Sequence, residues 1–275
     1  MSITQRLVTF IGGGNMARSL IAGLRSAGTA GAAIEVVEPT ATTASALAQA
    51  YQVDTAAAID QARLDGATWV LAVKPQVMAA VCAGLAPRLR AGQRVVSIAA
   101  GITTTTLQAW LGPQAVVVRA MPNTPALLGA GMTGLYAAAE VSAADRQAVA
   151  DILATTGQVR WIDDEALMDV VTAVSGSGPA YLFAFAEAME AAAVAQGLPA
   201  EAAHQLVVQT IVGAGRMLAD SGQSPAQLRV AVTSPNGTTQ AALEAFTAGG
   251  LDNLVAAAVD AATRRGQELS SLTKS

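Results

Sequence analysis

Three kinds of reactive side chain are nearly missing from this chain. It has one histidine, His204, one cysteine, Cys82, and lysine only at positions 74 and 274. A single cysteine excludes an internal disulfide and fits a reducing cytoplasm. Cys82 shares a predicted apolar helix face with Met78, Val81, Leu85 and Leu89, which makes it core filler. No Cys/His cluster has metal-ligand spacing, so no metal is expected. His204 stands among Ala202, Ala203, Leu206 and Val207 and reads as structural. The His–carboxylate relay of many hydroxy-acid dehydrogenases has no material here. Such poverty in acid–base groups suits a substrate that is already activated. A protonated imine accepts hydride without a strong acid, whereas a ketone needs its developing alkoxide protonated.

Charge is scarce as well. Charged residues are 13% against 52% apolar, the net charge is −4, and there is no basic run. Neither nucleic acid nor an anionic membrane is suggested as a partner. Residues 95–118 are uncharged but hold four threonines, two glutamines and a proline, which is not a spanning helix. Residues 1–5 are polar and the first apolar run is too short for a signal peptide. The apolar excess demands unusually extensive burial, which an intertwined oligomer would supply.

What is present begins with Ile11-Gly12-Gly13-Gly14-Asn15-Met16-Ala17. The stretch follows an apolar run (Leu7, Val8, Phe10, Ile11) and opens a helical pattern in which Ala17, Leu20, Ile21 and Leu24 share one face. Strand, glycine turn and helix form the context of dinucleotide binding. Gly12 allows the tight turn, Gly14 lets backbone approach a pyrophosphate, and Ala17 lets helix and strand pack closely. The helix N-terminus offers free N–H groups to the phosphates. An ordinary strand-to-helix turn is the bland alternative, but a second strand at 34–38 completes a βαβ unit.

Further strands are expected at 68–73, 93–99, 115–120, 132–138 and 158–162, alternating with helices. The stretch between the helix at 42–50 and Arg63 reads as polar and alanine-rich, without a strand. That alternation implies a doubly wound α/β sheet of Rossmann type over residues 1–162. Residues 163–275 show only helices and form an all-α domain. Its helix over 179–196 is apolar nearly all round (Tyr181, Leu182, Phe183, Phe185, Met189, Val194). That implies burial on every face, with a partner subunit providing it.

In an open parallel sheet, ligands bind beyond the carboxyl ends of the strands. There the chain places residues 12–16, Ala72-Val73-Lys74-Pro75, Ile98-Ala99-Ala100-Gly101 and Met121-Pro122-Asn123-Thr124-Pro125. Each loop alone fits a tight strand exit; four at one edge fit it poorly. Lys74 could pair with a phosphate or act as an acid, and equally could be a solvated lysine. In the helical half, Thr233-Ser234-Pro235-Asn236-Gly237-Thr238-Thr239 joins two helices. Its hydroxyls and helix-start N–H groups could hold a carboxylate, or simply cap a turn.

These motifs, with Val174-Ser175-Gly176-Ser177-Gly178-Pro179-Ala180-Tyr181, resemble the Δ1-pyrroline-5-carboxylate reductase family over nearly the whole chain. The resemblance implies reduction of a cyclic imine to L-proline with NADPH, NADH being the alternative. It implies that Ile11, Gly12, Gly13, Gly14, Asn15, Met16, Ala72, Val73, Lys74, Pro75, Ala99 and Ala100 hold the dinucleotide. Ser234, Gly237, Thr238 and Thr239 would hold the substrate, with the Thr239 hydroxyl on the ring nitrogen as the catalytic contact. It further implies an interlaced homodimer, in which that loop faces the cofactor of the other subunit. Such dimers often assemble further into rings. The chain departs from some members at Ala56-Ala57-Ala58 and at Ala231, where they carry asparagine.

Glu38 pulls the other way on the cofactor. An acid closing the second strand usually binds a ribose 2′-OH and repels a 2′-phosphate. No Lys or Arg lies between Arg25 and Arg63, although Pro39 could turn Glu38 away, and Thr40, Thr42 and Thr43 could bond a phosphate. Two other functions stay in view. A hydroxy-acid dehydrogenase would need an acid–base lysine in the helical half, which has none before Lys274. A non-catalytic dinucleotide sensor would not need residues 234–239.

Overall fold

Short runs of buried aliphatic residues form the strands, and each run stops at glycine, proline or a polar loop. In the computed structural model, which describes residues 8–63 and 65–272, β1 (Val8–Ile11) leads through the glycine turn into α1 (Asn15–Ser26). Then follow β2 (Ile34–Val37), α2 (Ala41–Tyr51), β3 (Asp54–Ala56), β4 (Thr68–Leu71) and α3 (Pro75–Leu85). β5 (Arg94–Ser97), α4 (Thr104–Leu111), β6 (Val116–Met121), β7 (Gly131–Tyr136), α5 (Ala143–Leu153) and β8 (Gly157–Trp161) complete one sheet. Its order is β3-β2-β1-β4-β5-β6-β7-β8. Neighbours run parallel except β6 and β7, which are antiparallel.

Alternate strand residues feed two cores. Phe10, Val36, Val70, Val96 and Val118 pack with Leu20, Ile21, Leu24, Leu47 and Ile152 on one face. Ile11, Val37, Trp69, Leu71, Val95 and Val117 pack with Met78, Cys82, Leu85, Leu107 and Leu111 on the other. Helices cover both faces, which is why the central strands read as unbroken apolar runs. Cys82 is fully buried, and burial pushes its thiol up to about 11, so it is core filler as expected. β3 lies within a stretch expected to lack a strand. It is a three-residue edge strand whose first two residues are exposed, so it carries no apolar signal.

Beyond β8 the described chain is helical. α6 (Met168–Val171) runs into a π-helical turn over Thr172–Gly176. α7 (Gly178–Ala195), α8 (Ala200–Asp220), α9 (Pro225–Ala231), α10 (Thr238–Ala248) and α11 (Leu251–Leu272) follow. Two compact units result. One reaches to Ser177 and takes in the chain again from Ala261; the other is Gly178–Asp260.

The units divide later than the boundary expected after residue 162, and the physical reason lies in the ion pairs. Buried Arg119 of β6 holds Asp169 at 2.8 Å and Glu165 at 3.6 Å, keeping both acids with the sheet. The far end of α11 packs there too. A Cβ on Gly266 would stand 3.2 Å from the Asp169 Cβ, and one on Gly101 3.1 Å from the Leu269 Cβ.

Within the second unit, α7 has no buried residue despite its apolar surface. Leu182 is 58% and Phe183 69% exposed. The burial expected on every face of this helix is not supplied by its own chain. His204 is exposed, with its Nδ1 2.9 Å from Glu190 Oε1. No helix among the described residues is long and apolar enough to cross a membrane.

Candidate active site

The sheet register brings the cofactor-binding candidates together. Ile11 pairs with Val37 on one side and Leu71 on the other, and Leu71 pairs with Ser97. The loops after β1, β2, β4 and β5 therefore leave one edge side by side. β1 and β4 are neighbours, although the chain between them runs out through β2 to the edge strand β3, which makes their junction the switch point where ligands bind in such sheets.

The three glycines have three different jobs. Gly12 has φ +98°, and a Cβ there would stand 2.8 Å from the Ala72 carbonyl oxygen. Its N–H donates to the Val37 carbonyl at 2.9 Å, tying the turn to β2. Gly13 lies against α2, where a Cβ would meet Leu47 Cδ1 at 2.6 Å. Gly14 is the N-cap of α1 and is exposed; a Cβ there would meet nothing within 4 Å. Space is thus left open at Gly14, the position where the sequence leads one to expect a phosphate. No side chain caps α1 and its first turn carries no acid, so Asn15 and Met16 present a helix start of uncancelled positive dipole. Ala17 is fully buried, as the third small position requires.

Ala72 donates its N–H to Ile11 at 2.8 Å, so the β4 exit lies against the glycine turn. Lys74 caps α3 and Pro75 occupies its first turn. The Lys74 side chain is exposed and makes no ion pair among the described residues. After β5, Ala99 is buried with its N–H on Ser97 Oγ at 3.3 Å, and Ala100 is half-buried. The Glu38 carboxylate, just past β2, accepts the Gly13 N–H through Oε2 and the Thr40 N–H through Oε1, both at 2.9 Å.

The substrate candidates form a second cluster, in the helical unit. Asn236 adopts φ 58°, turning the chain into α10. Gly237 is the N-cap; its N–H donates to the Ser234 carbonyl at 3.1 Å, and a Cβ there would stand 2.6 Å from Ser234 Oγ. Thr238 and Thr239 form the first turn, with no capping side chain and no acid. Their hydroxyls make no hydrogen bond among the described residues. That leaves two hydroxyls and a helix N-terminus available to one anion. Among the described residues, no cluster of acids, His or Cys could hold a metal.

One candidate loop also has a structural job. Asn123 of the loop at 121–125 donates to the Ser175 carbonyl and accepts the Met132 N–H, so it braces the π-helical turn and β7. The link to Ser175 has no sequence signal because the two residues lie far apart along the chain.

A glycine turn opening α1, a switch point beside it and a separate hydroxyl-rich helix start define a dinucleotide-dependent oxidoreductase with a helical second domain. Comparison with known proteins narrows the class. The family profile for pyrroline-5-carboxylate reductase dimerisation matches residues 165–269, and that for NADP oxidoreductase, coenzyme F420-dependent, matches residues 7–101. The Pseudomonas aeruginosa pyrroline-5-carboxylate reductase is 49% identical over 262 residues, 95% of this chain and 96% of that one. The Escherichia coli enzyme of the same name is 35% identical, covering 98% of this chain and 100% of that one. The structure of a Coxiella burnetii pyrroline-5-carboxylate reductase superposes with a TM-score of 0.92 at 39% identity, covering 96% of this chain and 98% of that one. The Plasmodium falciparum pyrroline carboxylate reductase with NADP bound gives 0.85 at 29% identity, covering 98% and 100%. The chain belongs to the pyrroline-5-carboxylate reductase family and is an NAD(P)H-dependent oxidoreductase with a dimerisation domain.

Proposed function

We propose that this chain reduces Δ1-pyrroline-5-carboxylate to L-proline, with the α10 turn holding the substrate. When bound, the dinucleotide supplies the hydride that adds to the C=N carbon, and the ring nitrogen ends with a proton from solution. The open face of Gly14 and the N–H groups of Asn15 and Met16 hold the pyrophosphate. Ile11, Gly12 and Gly13 shape that turn. Ala72, Val73, Pro75, Ala99 and Ala100 line the approach with small or apolar surface, against which a flat ring can lie. Lys74 adds positive charge at the same edge.

On the substrate side, the N–H groups at the start of α10 and the hydroxyls of Ser234 and Thr238 hold the carboxylate, with Gly237 giving it room. The Thr239 hydroxyl positions the ring nitrogen. No strong acid is needed, since a protonated imine already carries the positive charge that hydride neutralises. The observation that carries this reading is the uncapped, acid-free start of α10 with two unpaired threonine hydroxyls.

The active form is an interlaced homodimer, in which each α10 turn serves the dinucleotide held by the other subunit, and dimers assemble further into a ring. The exposed apolar surface of α7 supports such a partner, because no residue of that helix is buried within its own chain. The single thiol and a soluble dinucleotide substrate suit the cytoplasm.

The test is a spectrophotometric assay. Purified protein with pyrroline-5-carboxylate should consume NADH or NADPH and form L-proline in equal amounts. A folded sample that binds a dinucleotide yet turns over neither would overturn the reading.

A further inference from the structure

We propose that the Glu38 carboxylate makes this chain select NADH over NADPH, an inference that rests on the dinucleotide reading above. β2 ends at Val37, in register with Ile11. Glu38 is the next residue and stands beside the glycine turn. An acid at this place in the fold accepts hydrogen bonds from the adenosine ribose and rejects a 2′-phosphate. Sequence alone left open whether Pro39 turns the side chain away. It does not: Oε2 accepts the Gly13 N–H and Oε1 the Thr40 N–H, each at 2.9 Å. The carboxylate is fixed at both oxygens, through one of them to the turn that would approach the pyrophosphate. It remains half-buried, with acceptor capacity left for a ribose hydroxyl.

The charge persists at neutral pH. Partial burial alone would raise the Glu38 pKa. The donors from Thr40 and Gly13, with Arg18 nearby, outweigh burial and hold it below the usual carboxylate value. The cations that could offset this charge are few. Arg18 faces it from α1, but its Nε donates to the Gly13 carbonyl at 3.4 Å, and its field is already matched by Glu38 itself. α2 and the turn after β3 contribute none, because residues 26–62 contain no Lys or Arg. Thr40, Thr42 and Thr43 offer only neutral hydroxyls. A 2′-phosphate here would add about two negative charges beside a fixed one.

The experiment is equilibrium binding of NADH and of NADPH to the full-length native chain, followed by nicotinamide fluorescence at fixed ionic strength. Glu38→Gln and Glu38→Thr are measured in parallel. The native chain should bind NADH about tenfold or more tightly than NADPH. Both variants should lose that preference or invert it. The native ratio needs no variant, so it decides even if a substitution fails to fold. Equal or tighter NADPH binding by the native chain would overturn the role of Glu38 and leave the dinucleotide reading intact. An unchanged ratio in the folded variants would do the same. Binding of neither dinucleotide would overturn both.

Discussion

The side-chain amide of Asn123 donates to the Ser175 carbonyl at 3.0 Å, across more than fifty residues of chain. The same side chain accepts the Met132 N–H at 2.9 Å. Ser175 lies in the π-helical turn, where the regular ladder is interrupted and its carbonyl needs an outside partner. The neighbouring glycine is held equally tightly, since a Cβ on Gly176 would stand 2.6 Å from Met121 Cε. The 121–125 loop thus fixes the chain just ahead of α7. Asn123→Ala leaves a part-buried carbonyl and N–H without partners, and should cost about 1–3 kcal/mol. Urea unfolding of the two proteins measures it, and a change within error would mean that water replaces the amide.

Gly12 and Gly14 should separate folding from binding. Gly12→Ala is strained by its positive φ and by the Ala72 carbonyl, and should lower the melting temperature. At Gly14 the backbone has φ −68°, and an added side chain meets nothing. Gly14→Val should keep the native stability to within about 1 kcal/mol while dinucleotide binding disappears. Retained binding would remove the pyrophosphate from that turn.

Buried Glu35 is expected to be a stability liability at neutral pH. Burial raises its pKa more than its contacts with Arg63 and Thr9 lower it. A carboxyl with a raised folded pKa contributes stability that is full below its ordinary value of 4.5 and lost as pH rises through the higher folded value. Glu35→Gln should therefore be at least as stable as the native protein at pH 7, and that advantage should shrink as pH falls through the raised folded value, reaching its smallest size by about pH 4.5. The exposed side of the Arg63 pair contributes little. Thermal melts of both proteins across pH 3–8 (a range spanning the carboxylate titration) read the sign directly.

Much of this architecture is legible in the sequence because it rests on periodicity. The apolar runs at β1, β4 and β5 are buried on both faces, and the amphipathic stripe of α1 is set by Leu20, Ile21 and Leu24. Strand direction is not legible, since an antiparallel β7 has the same pattern as a parallel one. β3 is invisible because an exposed edge strand needs no apolar face. α7 reads correctly as a helix, but the burial expected of it is not found within its own chain, and a pattern does not say what would cover it. The glycine turn and the 234–239 turn are legible as motifs because backbone conformation demands particular residues there. The Glu38–Gly13, Asn123–Ser175 and Arg119–Asp169 contacts are not, because they join side chains and backbone from distant segments with no spacing rule.

The most direct test joins the two turns in one active site. Gly14→Val disables the dinucleotide turn. Thr239→Glu places an acid in the first turn of α10, which a helix start tolerates well but an anionic substrate does not. Each variant alone should be inactive with pyrroline-5-carboxylate. The two chains, co-expressed with different tags and purified through both, form a mixed oligomer. On the proposed cross-subunit site, each mixed dimer then contains one site with an intact glycine turn from one subunit and an intact Thr238-Thr239 turn from the other. The expected result is recovery of roughly half the native activity per mixed dimer, from one of two symmetric sites. A mixed oligomer as inactive as either variant alone would contradict it.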